Sequence, residues 1–161
     1  MNILARFRFH KTPFTREISL DDRLELPHFE DALAGIQRTV EQRMSAALLA
    51  PAGTGKTALL RRLKSNLPEA RYSVHYVKVT DLSKRDMCRE IASACGTEPA
   101  GSYPMLVRRL QERFAFTYAN DSRRPVIFLD EAHDVRPDVL GLLRILTNFD
   151  MDSKLVLSVV L

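Results

Sequence analysis

The chain is 161 residues long, 45% apolar and 27% charged, with a net charge of +4. That length fits one ordinary domain with its own core, and that usage excludes a disordered chain. No apolar run nears the roughly 18–20 residues a membrane helix needs, and the N-terminal basic residues sit inside their apolar stretch, so neither a span nor a signal peptide is expected and the expected location is the cytoplasm.

In chain order, residues 1–26 are irregular. Basic and aromatic residues interleave from Arg6 to Phe9, and acids follow at Asp21 and Asp22. They read as an N-terminal arm packed on a core of residues 27–161. Pro27 opens a helix with Phe29, Leu33, Ile36 and Val40 at spacings of three and four. Met44 to Ala50 is a short apolar strand, broken by Pro51 and Gly53. Thr57 to Asn66 reads as a helix ended before Pro68, and Ser73 to Val79 as a β-branched second strand.

Leu82 to Cys95 reads as a helix closed by Gly96. Ser102 begins another, with Leu106, Leu110 and Phe114 on one face and Pro104 in its first turn. Val126 to Asp130 is a wholly apolar third strand ending in acid. Pro137 to Phe149 is a helix expected to turn Leu140, Leu143 and Leu146 inward, and Leu155 to Leu161 is a fourth strand. Apolar strands alternating with helices imply a parallel sheet covered on both faces. Cys88 and Cys95 lie seven apart and the four histidines are scattered, so reduced structural thiols and no metal cluster are expected.

The chemistry lies in Ala50–Thr57, APAGTGKT. Apart from Ala50 in place of the first glycine, it is a phosphate-binding loop, placed after a strand and before a helix. Gly53 and Gly55 let the backbone curl so that successive N–H groups face phosphates. Pro51, Ala52, Gly53, Thr54, Gly55, Lys56, Thr57 and Ala58 are the candidate nucleotide-binding residues. Lys56 supplies charge to the β- and γ-phosphates, Thr57 a hydroxyl to Mg²⁺, and the helix N-terminus underlies both.

VIFLDE, residues 126–131, completes the set. Asp130, at the carboxyl end of its strand, is the second magnesium ligand, direct or through water. Glu131 is the candidate general base that polarises water for attack on the γ-phosphate, which favours hydrolysis of a nucleoside triphosphate. An extra strand between the two motifs and the lack of an N-K-x-D guanine-reading motif favour ATP.

These residues, together with FHKTPF (9–14), LPHFEDAL (26–33), YVKVTDLSKRDMCREIA (76–92) and IFLDEAHDVRPDVLGLLRILTNF (127–149), resemble the AAA+ ATPases, above all the ExeA-like and TniB-like group of secretion-associated ATPases and transposon helper subunits. The resemblance implies an α/β three-layer P-loop fold with a parallel sheet of order 1-4-3-2, lacking the family's fifth strand. It implies ATP and Mg²⁺ as cofactors, a homo-oligomer joined through its ATP sites, and DNA and a transposase as candidate partners. It places Thr80 as a polar switch beside the catalytic glutamate, and Pro27 and His28 near adenine. The family's sensor, arginine finger and lid follow the fourth strand, so the chain reads as a fragment of weak activity. Arg136 and Arg144 fall too early for the finger.

Other readings are a secretion-associated ATPase, a nucleotide-gated binding switch with little hydrolysis, a helicase fragment suggested by the DEAH of residues 130–133, and a small-molecule kinase. The helicase lacks its later motif and second motor domain, and the kinase has no visible acceptor motif. Arg61-Arg62-Lys64, Arg108-Arg109-Arg113, Arg123-Arg124 and Arg6–Phe9 are candidate DNA contacts, but each reads more readily as a solvated helix face or a packed N-terminal arm.

Overall fold

The computed structural model describes residues 3–12, 19, 24 and 26–161. The expected packing of the whole 1–26 arm therefore lies partly outside the described residues. Within the arm, α1 spans Ile3–Phe7.

A three-stranded parallel sheet forms the centre, in the order β1 (Tyr72–Lys78), β2 (Arg124–Asp130), β3 (Ser158–Val160). Tyr72 pairs with Arg124 and Lys78 with Asp130, and Val126 pairs with Ser158. Beyond β3, Ala46 bridges Val160 in parallel, with Ala46 N donating to Val159 O at 2.9 Å and Leu48 N to Leu161 O at 2.8 Å. Counting this segment as the first strand, the order is the expected 1-4-3-2. The expected strand from Met44 to Ala50 is reduced to that single bridge, because its ladder with β3 ends at Leu48 and the chain then turns into the Pro51 loop.

Helices cover both faces. Helix α2 (Pro27–Glu41) and α3 (Lys56–Asn66) lie on one side, while α4 (Lys84–Ala94), α5 (Tyr103–Ala119) and α6 (Pro137–Thr147) lie on the other. The alternation of β2 assigns its residues to the two layers. Val126 and Phe128 join Leu33, Ile36, Val40, Leu59 and Leu63 under α2 and α3. Ile127 and Leu129 join Met87, Ile91, Leu106, Leu110 and Leu142 under α4–α6. All four are almost fully buried, the pattern of a central strand wrapped on both faces. Helix starts follow local rules: Pro27 is in the first turn of α2, and Ser83 caps α4 by accepting from Asp86 N at 3.2 Å.

Helix α6 departs from expectation at Leu140, which is 48% exposed; Val139, Leu142, Leu143 and Leu146 face the core instead. The i, i+3, i+4, i+7 set beginning at Val139 makes a tighter stripe than the strict three-residue step through Leu140.

Candidate functional site

Period-two alternation carries the site as far as Asp130. Residues 126 and 128 point to the α3 layer, so residue 130 points there too, at the end of the strand where α3 begins. Asp130 is only 6% exposed. Its Oδ2 accepts from Thr57 Oγ1 at 2.9 Å and from the Tyr76 hydroxyl at 2.9 Å, and its Oδ1 accepts from Glu131 N at 3.0 Å. Among the described residues no ion pair joins this buried carboxylate to a basic side chain. Three hydrogen bonds orient its two oxygens at the end of the strand, an oxygen donor suited to a hard cation.

The loop before α3 is shaped to take the opposite charge. Gly53 (φ 79°) and Gly55 (φ 93°) both occupy left-handed backbone conformations, which a side chain would resist. Gly55 is the N-cap of α3 and brings no side-chain cap. The first amides of the helix therefore keep donors that have no intrahelical acceptor. Lys56 Nζ donates to the carbonyls of Ala50 at 2.9 Å and Pro51 at 3.0 Å, and Thr54 Oγ1 donates to Pro51 O at 2.8 Å. The lysine thus lies along the loop's own main chain, at the mouth of the helix dipole.

Glu131 sits at φ 59°, ψ 38°, the left-handed region for a non-glycine residue, a conformation costing on the order of 1–3 kcal/mol and concentrated at functional sites. The kink turns the chain out of β2 into the short 3₁₀ turn Ala132–Asp134, with Asp134 N donating to Glu131 O at 3.0 Å. The Glu131 carboxylate is half-exposed, and His133 Nδ1 lies 3.4 Å from its Oε2.

These groups line one cleft of about 1000 Å³. Its walls include Ala52, Gly53, Gly55, Lys56, Thr57, Ala58, Asp130, Glu131 and His133, so the cleft gathers most of the expected nucleotide-binding set with both acids. Pro51 and Thr54 are not among the lining residues; the Pro51 carbonyl accepts from Thr54 Oγ1 and Lys56 Nζ within the loop. Pro27 and His28 are exposed in the first turn of α2 and are not among the lining residues. Thr80 is exposed in the bend after β1, next to Val79, whose N–H donates to Asp130 O at 3.0 Å.

Several lining or contacting residues escaped the sequence reading, among them Tyr76, Arg61 and Leu140. Tyr76 reaches Asp130 because β1 and β2 run in parallel register and even-numbered β1 residues share the α3 face. Partial burial, the hydrogen bond to Asp130 and the charges of Asp130 and Glu131 push its hydroxyl up to about 12, so it remains a donor. Arg61 lines the cleft; it lies one turn beyond Thr57, a spacing that could have placed it there. Leu140 lines the cleft with Leu48, Leu49 and Leu161.

Outside the cleft, burial lowers the pKa of His75 from its ordinary value, against the opposing pull of its bond to Ala94 O, with Arg113 and Arg123 acting in the same direction as burial. The carbonyl can only accept, so Nδ1 carries the proton at 3.0 Å and Ser73 Oγ faces Nε2 at 3.1 Å. Cys88 and Cys95 are free and buried. No group of three metal-binding side chains occurs among the described residues, nor is any described helix long and apolar enough to cross a membrane.

A family model described as "AAA domain" matches residues 38–161. General secretion pathway protein A of Aeromonas hydrophila is 32% identical over 114 residues, which are 68% of this chain and 20% of that protein. The chain thus spans about one fifth of that relative's length. Among solved structures, Cdc6p from Pyrobaculum aerophilum superposes with a TM-score of 0.67 over 91% of this chain and 41% of its own, at 20% identity, a likeness of fold.

Proposed function

This chain belongs to the AAA domain family, and we propose on that footing that its cleft binds ATP with magnesium and hydrolyses it. The observation that carries the reading is the junction of Thr57 Oγ1 with the buried Asp130 Oδ2 at 2.9 Å, beside an α3 N-terminus with no side-chain cap. Hydroxyl and carboxylate together make an oxygen donor set suited to a hard divalent ion. Anionic phosphates suit the donors left open on the loop and at the start of α3.

In this reading the amides from Gly53 to Ala58 and the Lys56 ammonium hold the phosphates. Thr57 and Asp130 hold magnesium, which when bound neutralises phosphate charge. Glu131 accepts a proton from a water as that water's oxygen bonds to the γ-phosphorus, and the bond from phosphorus to the β–γ bridging oxygen breaks to leave ADP. Glu131 must turn away from His133 to do this, a side-chain rotation its half-exposed position allows. Thr80 beside Glu131, and Pro27 and His28 near adenine, belong to the same proposal as family-implied roles.

The test is release of inorganic phosphate from ATP by the purified chain, with and without magnesium. Magnesium-dependent release abolished in Glu131→Gln supports the reading; release unaffected by that change refutes it.

The wider role we assign is that of an ATP-driven cytoplasmic oligomer joined through its ATP sites, with residues 1–26 as an arm on a core of 27–161. The Aeromonas relative favours the secretion-associated reading. The transposition-helper reading, with DNA and a transposase as partners, is supported by the sequence resemblance alone. Co-purification from the native host separates the two: secretion components support the first, a transposase the second.

A further inference from the structure

Most of the chain's other basic clusters are engaged within the fold. Arg108 pairs with Glu112 at 2.8 Å, Arg109 donates to Ala100 O at 2.9 Å, Arg123 pairs with Asp121 at 3.2 Å, and Arg124 donates to Glu41 O at 3.0 Å. Arg61 faces the cleft. The N-terminus, where Arg6 and Lys11 have interactions of their own, is set apart by its charge. Residues 1–16 hold four of the 24 lysines and arginines and none of the 20 acids, leaving 20 of each in the rest. The whole net charge of +4 resides in those 16 residues.

The local backbone gives this charge a shape. Phe9 N donates to Leu4 O at 3.0 Å, and Arg8 takes φ 54°, a left-handed conformation that non-glycine residues adopt only at a cost. In a continuing helix, side chains two residues apart point in nearly opposite directions. The left-handed step brings Phe7 and Phe9 together, ring centroids 5.8 Å apart and planes at 26°. Both rings stay open to solvent, at 59% and 45% exposure. The Arg6 guanidinium lies 5.7 Å from the Phe7 ring centre, and Arg8, His10 and Lys11 are exposed in the same short segment.

We propose that this aromatic platform binds single-stranded nucleic acid. The open ring faces stack on bases, and Arg6, Arg8 and Lys11 meet the adjoining phosphates. Duplex bases are already stacked on each other and offer no free face, so the single strand is the fitting ligand. A lipid surface is the poorer match, because the five-residue α1 is too short to present an apolar stripe. The site is independent of the ATP reading and is tested without nucleotide.

The experiment is fluorescence anisotropy of a roughly 20-nucleotide labelled oligothymidylate with the 161-residue chain, at about 50 and about 200 mM salt. Binding is expected to weaken with salt. Joint Phe7→Ala and Phe9→Ala changes are expected to weaken it about tenfold or more, whereas joint Phe7→Tyr and Phe9→Tyr changes keep it. Arg6→Gln with Arg8→Gln should flatten the salt dependence. Far-UV circular dichroism checks that each variant folds, and the tyrosine and glutamine variants carry the test should the alanine pair fail to fold. The proposal is overturned by wild-type affinity in the alanine pair, by tyrosine variants as weak as alanine, by equal or tighter binding of a duplex, or by binding to phosphatidylserine vesicles without oligonucleotide binding.

Discussion

Thr57 and Asp130 are 73 residues apart in sequence, and the Thr57 hydroxyl donates to Asp130 Oδ2 at 2.9 Å. One side chain belongs to the first turn of α3 and the other ends β2, so this bond ties the start of α3, and with it the Ala50–Thr57 loop, to the centre of the sheet. Every expectation about the cleft depends on that tie.

Removing the base while keeping the shape separates binding from chemistry. Glu131→Gln is expected to retain ATP while slowing its hydrolysis roughly 10²- to 10⁴-fold, the usual contribution of a positioned general base. Single-turnover measurement with labelled ATP reads both quantities on one sample. Loss of ATP binding in this variant would instead make Glu131 part of the binding site.

Tyr76 gives a pH test. Its hydroxyl is raised from 10.0 to about 12 in the folded chain, so the folded state keeps the proton longer than the unfolded one. The stability linked to it is present in full below pH 10 and is lost as pH rises towards 12. Urea midpoints of wild type and Tyr76→Phe should therefore differ at pH 8 and converge across that window. The two buried thiols titrate similarly in both proteins and cancel in the difference. A gap that stays constant up to pH 12 would show that the hydroxyl makes no such contribution.

The path to Tyr76 shows what a sequence read residue by residue can and cannot reveal. The loop from Ala50 to Thr57 is local, so its pattern of glycines, lysine and threonine was readable without a fold. Asp130 was readable because four apolar residues in a row announce a central strand with the acid at its end. Tyr76 became part of the site only through the pairing of β1 with β2, which sets residues 54 apart at hydrogen-bond distance. Leu140 was misassigned because a run of leucines three apart imitates a buried stripe, while the stripe with Val139 and Leu142 is the one that packs.

Burial of Cys88 and Cys95 pushes their thiols up to about 11 and about 12. Near neutral pH both are protonated and enclosed under α4, so reaction with Ellman's reagent should follow unfolding. Two thiols should be released together on adding denaturant. Fast reaction of either one in the native protein would contradict this placement.

Phe128 lies at the middle of β2 against Leu59, Leu63 and Val160 in the α2–α3 layer. Phe128→Ala is expected to cost about 3–5 kcal/mol, since neighbours on a covered strand collapse poorly into the space. Chemical denaturation measures it. A cost below about 1 kcal/mol would mean that the layer repacks freely.

The most direct test of the cleft's assignment is equilibrium titration of a fluorescent ATP analogue, with magnesium, into wild type and Lys56→Ala. The account predicts saturable binding to wild type that unlabelled ATP displaces, weakened tenfold or more, roughly 1.4 kcal/mol or above, when the ammonium is removed. Absence of displaceable binding, or equal affinity in the two proteins, would contradict it.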